Sequence, residues 1–81
     1  MGLYQAGYDV TGVDNLDVPH SAKFLDVQMQ ADKVCAWFEV NPPNLKEQRH
    51  FQIVGTGQSF EGGKYLGTVQ DKEFVWHLYE I

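Results

Sequence analysis

The residues able to do chemistry in this chain are few and widely spaced. His20, His50 and His77 are its histidines and Cys35 its single cysteine. No two of them have the close spacing by which a zinc site is read from sequence, so no metal is expected. Ser59 lies in no nucleophile elbow, and no acid is spaced beside a histidine to complete a triad. Neither an enzyme nor a cofactor is expected.

The run Gly57-Gln58-Ser59-Phe60-Glu61-Gly62-Gly63-Lys64 has the glycines and the lysine of a phosphate loop but not their spacing. The lysine comes one residue late and precedes Tyr65 rather than Ser or Thr, and no helix follows to lend its N-terminal amides. A loop between strands is the expectation. The remaining candidates are binding residues. Arg49 and His50, with Thr56 and Gln58 beside two glycines, place polar donors near flexible backbone. Trp37 and Trp76, with His77 next to the latter, are groups of the kind that anchor interfaces. The competing reading puts both tryptophans in the core of a small barrel.

The elements that position these residues are bounded by composition. At 81 residues there is room for one domain, spanning residues 1–81. With 43% hydrophobic and 14% aromatic residues the chain has enough apolar area to fold. A lone cysteine excludes an internal disulfide and suits a reducing cytosol. No apolar run reaches the length of a membrane span, and the first residues lack the pattern of a signal peptide, so a soluble intracellular protein is expected. Six basic against eleven acidic residues give a net charge of −5. That charge repels a phosphate backbone and disfavours nucleic-acid binding. An acidic surface serves solubility, or fits a basic groove on a partner.

Turn signals recur at roughly the eight-to-twelve-residue spacing of all-β domains. Residues 23–40 read as a hairpin. Its first arm sets Leu25, Val27 and Met29 on the core side against Phe24, Asp26, Gln28 and Gln30. Its second arm carries large groups on both faces, Val34, Ala36, Phe38 and Val40 against Cys35 and Trp37, so that strand is expected to be central. Residues 31–33 form the turn, although Ala31-Asp32 is not the Asn-Gly a tight hairpin prefers. The pair Pro42-Pro43 ends the strand. Further strands are expected at 49–54, 65–70 and 73–81, the last two joined across Asp71-Lys72, with weaker strands at 3–10 and 16–18. The expected architecture is an all-β antiparallel sheet of about five or six strands, curled or partly closed into a barrel.

The segments Val27-Gln28-Met29-Gln30, Cys35-Ala36-Trp37, Phe51-Gln52-Ile53-Val54-Gly55-Thr56-Gly57, Tyr65-Leu66-Gly67-Thr68-Val69-Gln70 and Val75-Trp76-His77 resemble an uncharacterised family of short phage and prophage proteins. The resemblance runs from about Tyr8 to Ile81. This chain departs from the family's Asn-Gly at the first hairpin, having Ala31-Asp32, and from its histidine after Gly-Thr-Gly, having Gln58. A role for that family histidine therefore does not carry over. The resemblance implies a phage origin and the cytoplasm of a bacterial host.

Three functions are weighed. The first is a phage accessory protein binding a host protein or other macromolecule, in its sharper form a counter-defence inhibitor. The second is a protein that sequesters a small nucleotide signal, with Arg49, His50, Thr56 and Gln58 as donors and an aromatic stacked on the base. The third is a virion structural or assembly component. Self-association as a two-fold homodimer is also expected, because strands 33–40 and 73–81 carry apolar groups on both faces and one set needs cover.

Overall fold

The computed structural model describes residues 4–60 and 62–81. Met1, Gly2, Leu3 and Glu61 lie outside these, and with them the expected strand start at Leu3 and one position of the 57–64 loop. The described residues form seven strands and no helix: β1 (Tyr4–Val10), β2 (Val13–Pro19), β3 (Lys23–Gln30), β4 (Lys33–Val40), β5 (Lys46–Gly55), β6 (Lys64–Asp71) and β7 (Phe74–Glu80). They pair antiparallel into a three-stranded sheet, β1-β4-β3, and a four-stranded sheet, β2-β5-β7-β6.

The expected single sheet of five or six strands, curled or partly closed, is corrected by this arrangement. Two sheets stack and no barrel closes. The reason is visible at the corner between β1 and β2, which Thr11 and Gly12 alone connect although the two strands belong to different sheets. Asp14 Oδ1 accepts the N–H of Thr11 at 3.0 Å and of Gly12 at 2.9 Å, which holds the corner. Two stacked sheets bury one face of each strand without the uniform tilt and stagger a barrel demands.

Of the two weaker strands, β1 lies within the expected 3–10, whereas the one expected at 16–18 is longer than the sequence suggested. β2 runs with β5 from Val13↔Gln52 to Pro19↔Lys46. Residues 46–48, expected as loop, are therefore strand, because β2 supplies the hydrogen bonds they need. Pro19 ends an edge strand, where its missing N–H costs no ladder bond.

The alternation in β3 also needs correction. A bulge between Phe24 and Asp26 reverses the side chains that precede it. Leu25 is 40% exposed, while Phe24 packs on the core. In β4, the middle strand of its sheet, Val34, Ala36, Phe38 and Val40 are all buried against the second sheet. Phe38 sits at the centre, edge-on to Tyr8, Phe24 and Phe51 at centroid distances of 5.8, 5.7 and 5.7 Å.

One side of the stack is closed by β3 against β6, so tightly that a Cβ on Gly67 would lie 2.7 Å from Val27 Cγ1. On the outer face of the smaller sheet, a Cβ on Gly7 would lie 2.8 Å from Cys35 Sγ and 3.0 Å from the Trp37 ring. Glycine there lets the indole of Trp37 lie down across the neighbouring β1, so Cys35 is buried and Trp37 half-buried within one chain.

Two tight turns complete the frame. Gln30 pairs with Lys33 around Ala31 (φ 48°) and Asp32 (φ 68°), a two-residue turn with both centres left-handed. Asp71 pairs with Phe74, so the second turn is Lys72-Glu73 rather than the expected Asp71-Lys72, with Lys72 at φ 56°.

Candidate functional site

Strand alternation sends neighbouring residues to opposite faces, and it separates the two candidates at positions 49 and 50. Arg49 turns inward. Its Nε and one terminal nitrogen donate to the two Glu80 carboxylate oxygens at 2.6 and 2.7 Å, and the other terminal nitrogen donates to the Ala22 carbonyl at 2.6 Å. The guanidinium lies 5.3 Å from the Phe38 ring centroid and 5.9 Å from that of Phe51. Hydrogen bonding to Glu80 raises the Arg49 pKa above its ordinary value against the opposing effect of burial. The side chain thereby ties the three-stranded sheet, through Phe38 and through Ala22 just before β3, to the four-stranded one. His50 faces outward beside the Asn15 side chain.

Thr56 and His77 are brought together. Thr56 Oγ1 lies 2.9 Å from His77 Nε2, and Thr68 Oγ1 lies 2.9 Å from His77 Nδ1. The Tyr65 hydroxyl bonds to Thr68 in turn. A neutral imidazole donates from one nitrogen and accepts at the other, so Tyr65, Thr68, His77 and Thr56 form one hydrogen-bonded row across the outer face of the larger sheet. Rings flank it. Tyr79 lies edge-on to Tyr65 at 5.6 Å and against Phe60 at 4.6 Å, and Tyr65 is 53% exposed.

Gln58 bonds back to its own loop, its side-chain oxygen accepting from the Gly55 N–H at 2.7 Å. Trp76 packs on the core and stacks on Phe74 at 5.8 Å. Thr56, Gln58 and Trp76, with Gly55, Glu73 and Phe74, line a shallow cleft of about 430 Å³. Trp37 stands apart on the other sheet, its Nε1 buried without a hydrogen-bond partner among the described residues. Burial and the charge of Asp9 push the Cys35 thiol pKa up, against a backbone hydrogen bond from Tyr8.

Tyr65, Thr68, Tyr79 and Phe60 were not singled out from sequence. The signal was present: counting outward from a Lys72-Glu73 turn places Thr68 opposite His77, and a bulge then brings Tyr65 opposite Tyr79. Placing the turn one residue early shifts every pair by two.

The row donates, accepts and stacks but contains no carboxylate to orient the imidazole as a base. No group of three or more His, Cys, Asp or Glu among the described residues is arranged to hold a metal. No helix among them is long and apolar enough to cross a membrane.

The class defined by these features is an all-β domain of two stacked antiparallel sheets with a polar and aromatic outer face. The chain belongs to a family described as a domain of unknown function, DUF7352, whose model matches residues 4–81. No curated protein and no solved structure matches it.

Proposed function

We propose that this protein is a non-enzymatic phage accessory protein that binds a host macromolecule through the outer face around His77. A counter-defence inhibitor in the host cytoplasm is the sharper form. The supporting observation is the exposed row of Tyr65, Thr68, His77 and Thr56 beside Tyr79 and Phe60. It offers hydroxyls and ring surface across strands rather than enclosing them, and a small ligand needs concavity to bury most of its area. A net charge of −5 steers such a face toward a basic partner. Affinity capture from host extract at several salt concentrations tests this reading. A host protein held by the wild type and lost with Tyr65→Ala is expected. No host protein above background, or equal retention by both, overturns it.

The cleft beside Trp76 supports a second reading, because it gathers Thr56, Gln58 and Trp76 at one place. A nucleotide base stacks on an indole, and the side-chain amide nitrogen of Gln58 supplies a donor. Thermal shift against cyclic and linear nucleotides decides it, since a ligand at a hundred times its Kd adds ~2.7 kcal/mol. No shift with any of them removes this reading.

A further inference from the structure

We propose that β1 is a self-pairing edge: two copies join antiparallel through β1, Gly7 opposite the partner's Gly7, and double the three-stranded sheet into one continuous sheet. This is independent of the contact face around His77.

The four sheet edges are unequal. β3 and β6 lie beside one another, and each carries a bulge, between Phe24 and Asp26 and between Tyr65 and Gly67. Bulges twist an edge away from further pairing. β2 is an edge with two carboxylates, Asp14 and Asp17, and a terminal Pro19. β1 contains no proline or lysine, and its register with β4 runs unbroken from Tyr4↔Val40 to Val10↔Val34. Among the described residues it is hydrogen-bonded on one side only. Its other side presents a straight row of backbone donors and acceptors.

The β1 sequence is complementary to itself about Gly7. Antiparallel pairing sets Ala6 opposite the partner's Tyr8, Tyr4 opposite the partner's Val10 and Gln5 opposite the partner's Asp9. On the inner face a small side chain meets a large one. Tyr4, 61% exposed in the single chain, gains an apolar neighbour. On the outer face, Asp9 is the one charged side chain of the strand, and it meets an amide rather than a second carboxylate. Lys33 Nζ reaches Asp9 only at 3.8 Å on an exposed surface, which leaves the carboxylate available. Like charges placed directly opposite across a ladder are avoided in this register.

Size exclusion with light scattering, from low micromolar to sub-millimolar protein, tests the pairing on wild type, Gln5→Lys and Gln5→Asp. Gln5 is exposed, and circular dichroism confirms that each variant keeps its strands. The mass should rise from 9.2 kDa to twice that value. Gln5→Lys should lower the dimer Kd about tenfold and Gln5→Asp raise it about tenfold, since each acts at two symmetric contacts. Adding Asp9→Asn to Gln5→Asp should restore the wild-type Kd. A mass of 9.2 kDa at every concentration overturns the proposal. So does a dimer whose Kd neither substitution moves, or a double variant that fails to recover.

Discussion

Arg49 and Cys35 illustrate how a reactive side chain is occupied by the fold. With Arg49 and Glu80 only 20% and 22% exposed, removing one partner leaves a charge with little water to replace it. Arg49→Ala should cost about 2 to 3 kcal/mol, read as a lower urea midpoint with an unchanged slope. Arg49→Lys should recover only part, because an ammonium cannot reproduce the two-pronged contact with Glu80. For Cys35, burial and the nearby Asp9 charge hold the proton on sulfur. Its thiolate fraction at neutral pH is therefore below that of a free cysteine. Iodoacetamide should label the native protein on the order of a hundredfold more slowly than the urea-unfolded chain, followed by mass spectrometry.

At the scale of elements, the turns carry strain that substitution should relieve. Ala31 and Asp32 both sit at positive φ, where an L-residue with a Cβ costs ~1 kcal/mol or more. Replacing the pair with Asn-Gly should raise stability by about 1 to 2 kcal/mol, seen as a higher Tm. The β3–β6 seam predicts the opposite sign for added volume. Gly67→Ala puts a methyl 2.7 Å from Val27 Cγ1, so Val27 or β6 itself must shift. A loss of about 1 to 3 kcal/mol is expected by urea unfolding.

The whole molecule depends on one aromatic cluster spanning both sheets. Phe38 is fully buried and touches rings from β1, β3 and β5. Phe38→Ala should cost about 3 to 5 kcal/mol, comparable to what a core this small supplies. The variant should therefore be largely unfolded at 25 °C, with lost near-ultraviolet dichroism and urea sensitivity from the first addition. A cooperative transition near the wild-type midpoint would mean that the cluster is not the keystone.

Local pattern alone determined the all-β class, the 23–40 and closing hairpins and the central place of β4, because side-chain period and turn residues are written in consecutive positions. It misplaced Leu25, since a bulge inserts a residue without altering composition, and made β2 too short, since an edge strand draws its order from a partner far along the chain. The division of the strands into two sheets, the inward turn of Arg49 toward Glu80 and Ala22, and the contact of Thr56 with His77 were decided by tertiary structure. Each rests on residues brought together across strands, and no periodicity in the chain records which strand will lie beside which.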